Sequence, residues 1–328
     1  MVKTSLFLAA LAAGQAWATK DHTDHNDHQP STDLRPSSTD DSKPALNVYW
    51  GQVGSKRLAS YCESTGFEYV TVSFVNNSPE TDRSGLDYPG TNFGAHCSGE
   101  VYVNEANGRP SQLLSNCRLI AEDIPKCQAL GKKVLLSIGG AWNPNGTVVT
   151  NYTVSGPKKG LEFADFLWGA FGPKVGSWTG PRPFDLPNKP PTVVDGFDLD
   201  VEHKFDYFGQ SGYIALVQRL RQRFALDGGN YIISAAPQCP LAEPWYQMNH
   251  IIEEAKIDLL FIQFYNNEGC NADNEAGFNY LEWEEHLKTT ASADAKIFIG
   301  LLGAAGSGYI EPEAAVALVN KYKDRPSL

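Results

Sequence analysis

Seven apolar runs of strand length alternate with seven stretches of helical periodicity, and this alternation narrows the fold more than any other feature of the chain. The runs are Leu46 to Gln52, Glu68 to Val75, Lys133 to Ile138, Thr192 to Val201, Tyr231 to Ala236, Ile257 to Phe264 and Ala295 to Leu302. Between and after them lie Lys56 to Ser64, Ser111 to Leu130, Leu161 to Ala170, Gly209 to Leu226, Trp245 to Ala255, Phe278 to Thr290 and Glu311 to Lys323. Strand–helix repetition of this kind implies a parallel sheet wrapped by helices. A doubly wound open sheet usually carries a G-x-G-x-x-G loop after its first strand, whereas Gly51-Gln52-Val53-Gly54 stands here. The remaining α/β architecture is the (β/α)8 TIM barrel, which needs eight units. No eighth strand follows Lys323, so the expectation is a barrel lacking its eighth βα unit.

Three segments are expected. Residues 1–18 read as a secretory signal peptide: Lys3, an apolar stretch from Leu6 to Ala13, and Ala16-Trp17-Ala18 as the cleavage site. Residues 19–44 contain one large apolar residue, Leu34, among six Asp, three basic residues, Pro and Ser/Thr. Such a segment buries too little surface to offset its ordering entropy and reads as a disordered leader. Its Asp21-His22, Asp24-His25 and Asp27-His28 repeat reads as a solvated tract, not a metal site. Residues 45–328 form the barrel. Six cysteines without CxxC spacing suggest three disulfides in an oxidising compartment, with 15 pairings open to six cysteines. Sequons at Asn76, Asn145 and Asn151 agree with a secreted, extracellular chain. With 27 Lys+Arg against 38 Asp+Glu the net charge is −11, which disfavours nucleic acid and anionic membranes as partners. No apolar run reaches the ~18 residues of a membrane span. We expect a monomer with no metal and no cofactor.

The chemistry concentrates in Asp195-Gly196-Phe197-Asp198-Leu199-Asp200-Val201-Glu202. Side chains alternate faces along a strand, so Phe197, Leu199 and Val201 share one face and Asp198, Asp200 and Glu202 the other. Neighbours in that row stand about 6.6 Å apart. Like charges so placed do not all ionise cheaply, so at least one pKa should rise. Glu202 ends the row at the C-terminal side of the strand, where barrel active sites lie. A carboxylic acid kept protonated near neutral pH is what protonating a glycosidic oxygen requires. Calcium ligands come instead from loops with a glycine turn.

This stretch matches the D-G-x-D-x-D-x-E signature of family 18 glycoside hydrolases. Val48-Tyr49-Trp50-Gly51-Gln52, Ser137-Ile138-Gly139-Gly140, Ala235-Ala236-Pro237-Gln238-Cys239-Pro240 and Gln263-Phe264-Tyr265-Asn266-Asn267 resemble, in the same order, the plant and fungal class III chitinases. The resemblance implies a secreted endochitinase that cuts β-1,4-linked N-acetylglucosamine in chitin or chitooligosaccharides. Glu202 would be general acid and then base, and the substrate's own N-acetyl oxygen would be the nucleophile. Asp200 would stabilise the acetamido nitrogen, Asp198 would share a proton with Asp200, and Tyr265 would bond the acetamido carbonyl. Gln263 and Asn266 would contact the same region. Tyr49, Phe74 and Trp142 would offer sugar-stacking surfaces, with Trp142 exposed in its loop, and Gly140 would let a sugar approach the backbone. The pairs Cys62–Cys127, Cys97–Cys117 and Cys239–Cys270 follow from the same resemblance.

The family's eighth strand carries a Trp that floors the pocket, whereas the last Trp here is Trp283, in an expected helix. A truncated or mis-spliced gene model is the expected cause. Two other functions stay open: a non-catalytic chitin- or inhibitor-type barrel protein, and an endo-β-N-acetylglucosaminidase acting on N-glycans.

Overall fold

The computed structural model describes residues 45–147 and 149–328. The signal peptide, the leader and its Asp–His repeat lie outside the described residues. The elements run β1 (Asn47–Trp50), α1 (Leu58–Cys62), β2 (Tyr69–Asn77), β3 (Gly90–Thr91), β4 (Val101–Asn104), β5 (Arg109–Leu114), α2 (Arg118–Ala129), β6 (Lys133–Gly140), α3 (Gly156–Phe171), β7 (Gly196–Val201), α4 (Tyr207–Asp227), β8 (Ile232–Ala235), α5 (Asn249–Glu254), β9 (Leu259–Gln263), α6 (Tyr280–Leu287), β10 (Lys296–Gly300) and α7 (Pro312–Tyr322). Each strand and helix expected from the periodicity is present.

Seven parallel strands follow the order β1-β2-β6-β7-β8-β9-β10, and β3 pairs antiparallel with β2. The sheet curls as a TIM barrel does but does not close, so β1 and β10 form its two edges among the described residues. At the β10 edge, the Ile297 N–H donates to the Ser327 carbonyl at 2.5 Å and Lys296 Nζ to that of Pro326 at 2.6 Å. Pro326 and Ser327 thus occupy part of the β10 edge.

Strict alternation explains the core. Outward residues such as Val70, Val72, Leu136, Ile138, Phe197, Leu199, Ile233 and Ile262 join one large cluster beneath the helices. Inward residues Leu135, Ala236, Leu259 and Phe261 form a second cluster inside the curl. Asp206 caps α4 by accepting from the Gly209 N–H at 2.9 Å, and Gly228 ends it in the left-handed conformation.

One expectation is corrected. The helix foreseen over Ser111 to Leu130 begins only at Arg118, because Arg109–Leu114 pairs with β4 as a hairpin. Ser111 and Leu113 are buried while Gln112 and Leu114 are less so, a period of two that the adjacent leucines disguise. The three disulfides are Cys62–Cys127, Cys97–Cys117 and Cys239–Cys270, as the resemblance implied. The first ties α1 to α2, and the third joins the loops that follow β8 and β9.

Candidate active site

Register assembles the acid row. Asp198 on β7 is flanked by Ser137 on β6 and Ser234 on β8. Both hydroxyls donate to it, Ser137 at 2.7 Å to Oδ2 and Ser234 at 2.6 Å to Oδ1. The Tyr49 hydroxyl from β1 adds a third bond at 2.9 Å. Asp198 is fully buried, and burial pushes its carboxyl up against the three hydroxyls that pull it down.

Two residues on, Asp200 is 4% exposed and accepts from Gln263 Nε2 at 3.0 Å. The same amide donates to the Ala236 carbonyl at 3.0 Å, which fixes its orientation. Burial, then the charges of Glu202 and Asp198, hold Asp200 well above the carboxylate range. Glu202 follows β7 directly and is partly exposed. Burial raises its carboxyl. Asp200 and Glu202 stand next to each other in the inward row, and two acids facing each other hold a proton to higher pH than a lone acid does.

Tyr265, 4% exposed, completes this group. Burial and the charges of Asp200 and Glu202 hold its phenol well above the usual value. Burial, Asp198 and Asp200 do the same for Tyr49. Both therefore stay neutral hydroxyl donors at neutral pH.

Backbone geometry explains the Gly139-Gly140 pair. A Cβ on Gly139, at φ +124°, would stand 2.0 Å from the Asp200 carbonyl oxygen, so glycine lets β6 approach the acid strand. A Cβ on Gly140 would meet the Phe74 ring at 3.2 Å, which places Phe74 against this turn. Trp142 is half-buried, not free in its loop. His203 stacks on it at 4.4 Å, and Tyr152 and Phe205 present their edges. Asn266 is exposed at φ +60°. Its neighbour Asn267 is the one knitted in, donating to Gln238 Oε1 at 3.2 Å and the Tyr265 carbonyl at 3.1 Å. Trp283 is buried and donates to the Cys239 carbonyl at 2.9 Å, away from the acid row.

Sequence reasoning missed Ser137, Ser234 and Tyr152 as parts of the site. The two serines were detectable as polar residues at inward strand positions. Tyr152 carried no such signal. It is buried between the strand ends, donates to the Gly140 carbonyl at 2.8 Å and accepts from the Glu202 N–H at 3.2 Å.

The three sequons differ in access. Asn145 is exposed, and Asn151 is half-buried with Thr153 donating to its Oδ1 at 2.8 Å. Asn76 lies in β2 at 6% exposure, so a glycan there has no room in the folded chain.

The chain is similar to proteins already known. A sequence model of the glycosyl hydrolases family 18 matches residues 45–307. Endochitinase A of Aspergillus niger is 42% identical over 86% of the chain, which spans 22% of that longer protein. Endochitinase 2 of Coccidioides posadasii is 41% identical, again over 86% of the chain and 32% of its own length. Among solved structures, a xylanase and α-amylase inhibitor protein from Scadoxus multiflorus superposes with a TM-score of 0.63 at 26% identity, covering 87% of this chain and 90% of that one.

Proposed function

The chain belongs to glycosyl hydrolase family 18, and from that premise we propose that it is a secreted, monomeric endochitinase that hydrolyses β-1,4-linked N-acetylglucosamine polymers with retention. The inward row of Asp198, Asp200 and Glu202, with Asp198 held by Ser137 and Ser234 and Asp200 held by Gln263, carries the reading.

Glu202, at the mouth of the row, gives its proton to the glycosidic oxygen as the bond to the anomeric carbon breaks. The substrate's acetamido oxygen attacks that carbon and forms an oxazolinium ion. Developing positive charge meets Asp200, which is already in place and needs no reorganisation. The neutral Tyr265 hydroxyl donates to the acetamido carbonyl. Deprotonated Glu202 then takes a proton from water, which opens the ring and restores the acid. Asp198, saturated by three hydroxyls, holds Asp200 high through its charge. Tyr49, Phe74, Gly140, Trp142 and Asn266 line the approach to this centre. Asn145 and Asn151 are the accessible glycan acceptors.

The likeness to an inhibitor protein favours a second reading, a barrel that binds without cutting. The retained Asp198, Asp200, Glu202 and Tyr265 favour the enzyme. Incubation with chitohexaose and mass analysis of the products separates the two. Shorter oligomers should form, and Glu202→Gln should cut the rate by at least ~10²-fold. An intact hexamer, or equal rates for both proteins, contradicts the enzyme.

A further inference from the structure

A cavity of about 360 Å³ lies apart from the acid row, between the segment that follows β2 and the outer face of α3. That volume is at the lower end of the range for small-molecule sites. None of the catalytic side chains lines it. Its floor is aromatic: Phe163 and Phe166 are buried, and Trp178 stands half-buried with its edge on Phe166 at 5.4 Å and 90°. Trp178 is held in a fixed pose. A Cβ on Gly169 would come within 2.2 Å of its ring, one on Gly180 within 2.5 Å, and its indole N–H donates to the Pro181 carbonyl at 3.2 Å. A smaller cavity of about 80 Å³ continues past Trp178 and shares Asp165 with the first.

The rim is rich in carboxylates: Asp165 pairs with Arg219 and Arg223 and Glu162 with Lys159, while Glu80 and Asp87 add two more. Both Glu80 oxygens accept from Ser155. A fixed aromatic floor under a carboxylate-lined polar rim suits a neutral ligand with an apolar face and hydroxyl edges. A pyranose ring has that character, whereas an anion would meet the rim carboxylates.

We propose that this groove is a second saccharide site, one that holds a stretch of the chitin chain outside the catalytic cleft. The proposal rests on the reading of the enzyme as a chitinase. Thr153 and Val154 in its wall directly follow Tyr152, whose hydroxyl joins the Gly140 carbonyl to the Glu202 N–H.

Calorimetric titration of the Glu202→Gln protein with chitotetraose tests it. Two binding events per chain are expected, and Trp178→Ala in that background should abolish one. Because Trp178 also packs on Phe166, a second variant, Glu162→Trp, plugs the groove from an exposed helix position and should abolish the same event. A single event in the Glu202→Gln protein, or two events that survive both substitutions, overturns the second site. If chitohexaose is cleaved and only one tetramer binds, the enzyme reading stands and the second site falls. If nothing is cleaved yet one of two events is lost in both variants, the second site stands and the enzyme reading falls.

Discussion

Inside the curled sheet, two layers built by the same alternation behave oppositely. The lower layer is apolar: Leu135, Leu259 and Phe261 pack with Tyr69, Ile232 and Phe298. Its rings meet edge to face, Phe261 and Phe298 at 5.0 Å and Tyr69 and Phe298 at 5.7 Å. The upper layer, on the same strands, holds Asp198, Asp200, Ser137, Ser234 and Gln263. Burial stabilises the first layer and penalises the second, since each ionised carboxyl there has lost water and faces another. The difference shows where the fold takes its stability and where buried acids oppose it.

Breaking the lower layer should have the largest effect on stability. Phe261→Ala should cost about 3–5 kcal/mol, read from denaturant midpoints. A loss below about 1 kcal/mol would mean that the open curl leaves this layer loosely packed. Relieving the upper layer should have the opposite sign. Asp198, Asp200 and Glu202 have raised folded-state pKa values, so the folded chain binds more protons than the unfolded one as pH climbs above the ordinary carboxylate range. Stability is then lost as pH rises through the folded values. Asp200→Asn removes one charge and keeps an oxygen for Gln263. It should gain about 1 kcal/mol at pH 7, a Tm rise of roughly 2–4 °C, and almost nothing near pH 3, while activity collapses. A lower Tm at pH 7 would show that Asp200 stabilises the fold. The smallest effect concerns the amide on Asp200. Gln263→Met removes the donor that lowers Asp200. The alkaline limb of kcat/KM should move to higher pH. A move to lower pH would contradict that role.

The layers were unequally legible in the sequence. Alternation in Asp195 to Glu202 was enough to place three carboxyls on one face, and β-branched content marked each strand. Register was not legible, because no local pattern aligns Ser137 and Ser234 with Asp198. Those contacts follow from how far each strand slides along its neighbour. The same limit hid Tyr152, and it hid the half-buried position of Trp142 under His203, a contact between two loops. The β4–β5 hairpin was lost for a different reason. Leu113 and Leu114 supply an apolar start that continues smoothly into the helical periodicity of α2.

The central claim is that the upper layer holds a proton that ordinary acids would have released. Carboxyl carbon NMR titration of Asp200 and Glu202 measures this directly. The account predicts that both midpoints lie above the ~4 of unperturbed Asp and Glu, and that Asp198→Asn lowers that of Asp200. Two independent titrations at ordinary values, unmoved by Asp198→Asn, would contradict it.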